Sequence, residues 1–260
     1  MAEAAGLYYE THGPEDGPPL ILSSGLGGSA SYWTPNLAAL AADHRVVAYD
    51  HRGTGRSDRT LPGQVSVGDL ADDMLALMDA LGIERASIVG HAAGGVAALA
   101  LAAKAPARVE RLVIVNGWAQ ADPHFLRCFA ARLALLRHAG TEAFLRAQPI
   151  FLYPANWLSA HSDDLDAELP HQLAGFPGAA TMEKRIAALA AFRLDDPAAV
   201  TARALVLVTE DDMLVPSDAG RRLAAMLPDA ALATMDWGGH ACNVTDAAGF
   251  DSLVLAFLRS

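Results

Sequence analysis

The chain has 260 residues, 52% of them hydrophobic, which is enough to build the core of one α/β domain. Thirty acidic against 19 basic residues leave a net charge of -11, and this balance opposes nucleic acid or an anionic membrane surface as partner. Two cysteines, Cys128 and Cys242, lie far apart and form neither a disulfide framework nor a metal knuckle. With no basic, apolar start and no run of about 18 apolar residues, a cytoplasmic location is expected.

Residues 7–11 and 20–23 read as strands, 33–42 as a helix and 45–49 as the next strand. Leu70, Met74, Leu77 and Leu81 share one face of a helix over 67–81. A strand at 86–89 leads into a glycine-flanked turn, followed by a helix to Lys104 and a strand at 112–115. Strand alternation then stops between Trp118 and about Asp196. That stretch carries a helical period over 126–136 and a Pro/aromatic segment over 148–157. Strands return at 204–208 and 231–235, each followed by helix-like sequence. Continuous apolar strands separated by helices predict a parallel sheet covered on both faces.

Gly90-His91-Ala92-Ala93-Gly94 sits between strand and helix. A Gly-x-X-x-Gly turn in that context is the nucleophile elbow of an α/β-hydrolase, where small flanking residues permit a tight turn. Here the nucleophile position holds Ala92, which has no hydroxyl, thiol or carboxylate and cannot form a covalent intermediate. Other parts of such a site follow in order. Ser24-Gly25-Leu26-Gly27-Gly28 lies where an oxyanion loop belongs, so the backbone N–H groups of Leu26 and Ala93 are the candidate oxyanion donors. Asp212, four residues before Pro216, is favoured over Asp211 as the acid, and His240 follows the last strand. Glu210 is expected to face solvent or cap a helix. The fold expected is therefore an α/β-hydrolase with core segments 1–118 and 197–260 and a helical cap over 119–196 that excludes water. His91 reads as a packed histidine rather than a catalytic one.

A competing reading exists. Gly25-Leu26-Gly27-Gly28-Ser29-Ala30 also fits a dinucleotide-binding turn, with Asp50 as the ribose-binding acid. It leaves the elbow and the Asp212…His240 pair unexplained.

Several segments carry a closer resemblance: Ser24 to Ser29 with Tyr32-Trp33, Asn116-Gly117-Trp118, Arg127-Cys128-Phe129, residues 148–157, and Gly238 through Asp246. Together they resemble the RutD family, α/β-hydrolases of the Rut pyrimidine-utilisation pathway, over nearly the whole chain. Alanine at the elbow is also a feature of that family. The resemblance implies hydrolysis of 3-aminoacrylate to malonic semialdehyde and ammonia, or of carbamate to ammonia and carbon dioxide. Both compounds also decompose spontaneously, so acceleration is the expected role.

His240, held in one tautomer by Asp212, is expected to move protons and orient an attacking water. Trp118, Tyr153 and Trp157 are candidate pocket residues, equally able to be core. Both substrates are small anions, so Arg127 is the candidate cation for the carboxylate, with backbone amides as the alternative. Asn243 is a candidate donor to substrate or a helix cap. No metal or cofactor is expected, and a homodimer would be ordinary for this fold without being demonstrated by these residues. An inactive relative that binds a metabolite or a partner is the alternative; Ala92 favours it, whereas Asp212 and His240 oppose it.

Overall fold

The apolar runs become the centre of an eight-stranded sheet in a computed structural model that describes residues 2–260. The strands are β1 (Glu3–Ala4), β2 (Leu7–His12), β3 (Pro19–Ser23), β4 (Arg45–Tyr49), β5 (Ala86–His91), β6 (Val109–Val115), β7 (Arg203–Thr209) and β8 (Ala230–Met235). Their order is β1-β2-β4-β3-β5-β6-β7-β8. The first two pairings are antiparallel and all others parallel.

Alternation along the strands sends successive side chains to opposite layers. Ile21, Ile88, Leu112, Ile114 and Val206 enter one core, while Leu22, Val89, Val113, Val115 and Leu207 enter the other. The first core is covered by α2 (Val67–Ala80), α3 (Ala93–Lys104) and α9 (Ser217–Met226). The second is covered by α1 (Thr34–Leu40) and α11 (Ala247–Leu258). Both faces of the sheet are thus dry, which is why its strands read as unbroken apolar runs.

Between β6 and β7 come five helices: α4 (Pro123–His138), α5 (Gly140–Leu152), α6 (Ala155–Ala160), α7 (Ser162–Gly175) and α8 (Ala179–Ala191). This insertion leaves and re-enters the core at one neck, where Gln120 bridges Arg193 and Leu194 N donates to Ala119 O at 2.8 Å. A four-residue α10 (Cys242–Thr245) precedes the final helix.

Some elements differ from expectation. The strand expected at 7–11 is β2, whereas its hairpin partner β1, two residues long, is too short to carry a periodic signal. The helix expected at 33–42 is a 3₁₀ turn over Ala30–Trp33 followed by the shorter α1, because Pro35 fits only the first turn of an α-helix. Helices α5 and α7 carry internal prolines, Pro149 and Pro170, which masked their period. Among the described residues no helix is long and apolar enough to cross a membrane.

Candidate active site

Strand register brings the ends of β3, β5 and β6 together, with Ser23 opposite Gly90 and His91 opposite Val115. Between β5 and α3 a single residue, Ala92, makes the turn with φ 47° and ψ -108°. A non-glycine residue in such a conformation costs on the order of 1–3 kcal/mol. The turn closes because its neighbours lack side chains. A Cβ on Gly94 would fall 2.1 Å from Ser23 O, and one on Gly90 would fall 2.5 Å from Gly94 O. Ala92 N donates to Val115 O at 2.8 Å. The elbow thus keeps its backbone while presenting only a methyl group.

Asp212 follows β7, and its side chain is fully buried. Its Oδ1 accepts the N–H groups of Leu214 and Val215 at 2.7 and 2.9 Å. Its Oδ2 accepts from His240 Nδ1 at 2.7 Å. A carboxylate oxygen at this position accepts, so Nδ1 of His240 is the donor, and in the neutral form of such a ring Nε2 is the nitrogen with the lone pair. Asp211 serves differently, accepting Gly239 N–H at 2.8 Å and shaping the turn before His240. Glu210 faces solvent, pairs with Arg221 and accepts from Ser217 Oγ at 2.8 Å.

Two buried side chains hold the backbone of His240. His91 Nε2 donates to its carbonyl at 2.8 Å and Asn116 Nδ2 donates to it at 3.0 Å. Asn116 itself sits at φ 48°, just past β6, and its Oδ1 accepts Thr209 N–H at 3.0 Å. His91 lies between Tyr32, on which it stacks at 5.0 Å, and His240, whose ring is 4.6 Å away and tilted by 58°. Burial pushes its pKa well below the ordinary histidine value, so the ring is neutral with a bare Nδ1.

The candidate oxyanion loop, residues 24–28, is pinned from the helical insertion. Arg185 of α8 donates through Nε and Nη2 to Leu26 O at 3.2 and 3.0 Å, and through Nη1 to Arg52 O at 3.3 Å. Its Nη2 also contacts His51 Nδ1 at 2.9 Å. Ala93, the first residue of α3, has an N–H with no acceptor inside the helix. Of the serines nearby, Ser23 Oγ is engaged with Tyr49 and His51, and Ser29 Oγ with Ser31. Ser24 Oγ is buried and has no partner.

The expected pocket residues separate into groups. Trp118 is buried with its ring 4.6 Å from Phe125. Tyr153 is half-buried against Trp157, which in turn stacks on His161 at 3.9 Å. Burial raises the pKa of Tyr153, so its ring carries an intact hydroxyl. Two expectations are corrected. Arg127 is exposed on α4 and faces no interior site. Asn243 is fully buried, with Oδ1 accepting Tyr32 O–H at 2.7 Å and Nδ2 donating to Asn36 at 3.1 Å. It ties α10 to α1 and is not open to substrate.

Asp50, the acid of the dinucleotide reading, is also committed. It is 1% exposed, accepts Ala30 N–H at 2.8 Å and pairs with Arg56 at 2.8 Å. Sequence reasoning gave no role to Asn116, Arg132 or Arg185. Arg132 carried a signal, since it falls within the apolar stripe of α4. Among the described residues, no group of three or more His, Cys, Asp or Glu could hold a metal ion. Two surface clefts of about 330 and 170 Å³, beside Arg222 and beside Asp73, include neither His240 nor Asp212.

A family model described as the alpha/beta hydrolase fold matches residues 18–247. The chain belongs to the α/β-hydrolase superfamily. The enol-lactonase from Burkholderia xenovorans LB400 superposes with a TM-score of 0.88 at 28% identity, covering 100% of this chain and 99% of that one. A serine-to-alanine mutant of CumD, a meta-cleavage product hydrolase from Pseudomonas fluorescens IP01 complexed with acetates, gives 0.82 at 27% identity, covering 98% and 96%. Proteins named "Putative carbamate hydrolase RutD" from Caulobacter sp. strain K31 and Variovorax paradoxus strain S110 are 52% and 50% identical to it. Each match covers 97% of this chain and 96% of the relative. Within the α/β-hydrolases, the chain belongs to the RutD family.

Proposed function

We propose that this chain is a hydrolase of pyrimidine breakdown that accelerates C–N cleavage in a small anion, 3-aminoacrylate or carbamate, by proton transfer at His240 without a covalent intermediate. One observation carries the reading: the 2.7 Å Asp212–His240 pair stands beside an elbow that has only a methyl group to offer. The names of the relatives support carbamate as substrate.

Aminoacrylate tautomerises to an imine. Water adds to the imine carbon while Nε2 of His240 takes one of its protons, and the resulting imidazolium returns that proton to nitrogen, giving a carbinolamine; a second transfer through Nε2 then carries the hydroxyl proton to nitrogen as the carbonyl forms. Ammonia leaves with the C–N bond electrons, and malonic semialdehyde remains. Carbamate needs only the second half: a proton reaches nitrogen, the C–N bond breaks, and ammonia and carbon dioxide separate. Asp212 stabilises the imidazolium in either case. The N–H groups of Leu26 and Ala93 act on developing negative charge, and the helical insertion serves as a cap that limits water.

The test is to generate 3-aminoacrylate in situ and, separately, carbamate, and to follow ammonia release without protein, with the protein and with His240→Ala. Acceleration that disappears in the variant is expected; equal turnover by the variant overturns the proposal. No acceleration of either compound favours the alternative prompted by Ala92, a binding protein descended from a hydrolase.

A further inference from the structure

The two buried arginines of the helical insertion are treated differently by their surroundings. Arg185 is surrounded by acceptors: two backbone carbonyls and an imidazole nitrogen. Arg132, 2% exposed on α4, has one neutral acceptor, Gln148 Oε1 at 3.1 Å from Nη2. Its Nε is buried with no partner, and no carboxylate among the described residues pairs with it. The guanidinium instead lies 4.9 Å from the ring centre of Phe129, 5.1 Å from Phe144 and 5.6 Å from Phe151. A buried cation with so few dipoles around it is costly unless an anion completes it.

The position of Arg132 ties it to the site. One turn before it on the same face, Cys128 Sγ lies 3.7 Å from Met213 O, in the loop that carries Asp212. One turn after Gln148 on α5, Leu152 O accepts Ala241 N–H at 3.0 Å, next to His240. The facing stripes of α4 and α5 therefore both run from the catalytic loops to Arg132, about 6 Å along α4 from Cys128.

We propose that Arg132, steered by Gln148, is the carboxylate-binding residue of this site and selects short-chain monocarboxylates. The assignment rests on the function proposed above, and it replaces Arg127 as the cation. A guanidinium offers two parallel N–H groups to a carboxylate, which a lysine cannot match. The aromatic walls exclude water and strengthen the pairing.

Binding, measured apart from turnover, tests this. Propionate serves as the probe and propionamide, its neutral isostere, as the control, by calorimetric titration and by melting temperature. Millimolar propionate binding is expected for the parent protein, with propionamide at least about ten-fold weaker. Arg132→Met should abolish propionate binding while melting no lower than the parent, because it removes a buried charge that lacks a partner. Arg132→Lys, which keeps charge but loses the fork, should bind at least about ten-fold more weakly and covers the case in which the methionine variant fails to fold. His240→Ala should bind as the parent does, so loss of its turnover bears on the catalytic proposal and not on this one. Equal binding of propionate and propionamide, no propionate binding by the parent, or unchanged affinity in Arg132→Lys each overturns the assignment.

Discussion

His91 donates from Nε2 to the backbone carbonyl of His240 across 2.8 Å, so the residue before the elbow alanine holds the main chain of the histidine paired with Asp212. Asn116 adds a second donor to the same carbonyl. The main chain of His240 is thus fixed from the elbow side and from β6, and Asp212 fixes its ring. This framework stands complete around an elbow position that holds alanine.

Asp212 uses one oxygen for two backbone N–H groups and the other for His240. Asparagine can satisfy only one of these, because its amide group donates. Asp212→Asn should destabilise the fold by about 1–3 kcal/mol and lower the catalysed rate by about 10²-fold or more. Denaturant unfolding and ammonia release check both; a rate within two-fold of the parent argues against a catalytic role for the pair.

Ala92 pays for a backbone conformation without using the hydroxyl that such a turn usually displays. Ala92→Gly should relieve the positive φ and leave stability equal or higher by up to about 1 kcal/mol, since glycine's entropy offsets part of the gain. Ala92→Ser should gain slow hydrolysis of p-nitrophenyl acetate. An unfolding curve for the first and an ester assay for the second are the measurements; no ester hydrolysis would show that His240 and the elbow are out of register.

Arg185 holds the Leu26 peptide through two nitrogens. A lysine there offers one compact ammonium and cannot span Leu26 O, Arg52 O and His51 together. Arg185→Lys is predicted to slow turnover about ten-fold or more, on the scale of a lost buried hydrogen bond to a charged group, while leaving propionate affinity unchanged. Equal losses in rate and affinity would place Arg185 on the substrate instead of on the loop.

Stability should fall on mild acidification. Burial holds the pKa of both His51 and His91 well below the ordinary 6.5, with the charge of Arg185 adding to the shift at His51. Below about pH 6.5 the unfolded chain therefore binds protons that the native protein refuses, and each group removes up to about 1.4 kcal/mol per pH unit. Burial raises Asp251 to about 6, which works in the opposite sense from about pH 7 down to about 4, where the native carboxyl takes up a proton before the unfolded one, and this offsets part of the loss from the two histidines. Stability measured from pH 7 to 6 should decline, and His91→Gln should reduce the slope; an unchanged slope in that variant would mean His91 is protonated in the fold.

The sheet, the elbow, Asp212 and His240 were legible in the sequence because each is local: an apolar run, a glycine-framed turn, an acid or a histidine just past a strand. The choice between Arg127 and Arg132 was not local. The two differ by five positions, about 140° around a helix, so one points to solvent and the other inward with Phe125 and Phe129. Only the packing of α4 against α5 decided that the inward face meets Gln148 and the rings of Phe144 and Phe151. Asn243 was likewise settled by tertiary structure, since Asn36, more than two hundred residues away, takes its side-chain N–H. Local chemistry determines which groups are available; burial and long-range partners determine which of them remain free to meet a substrate.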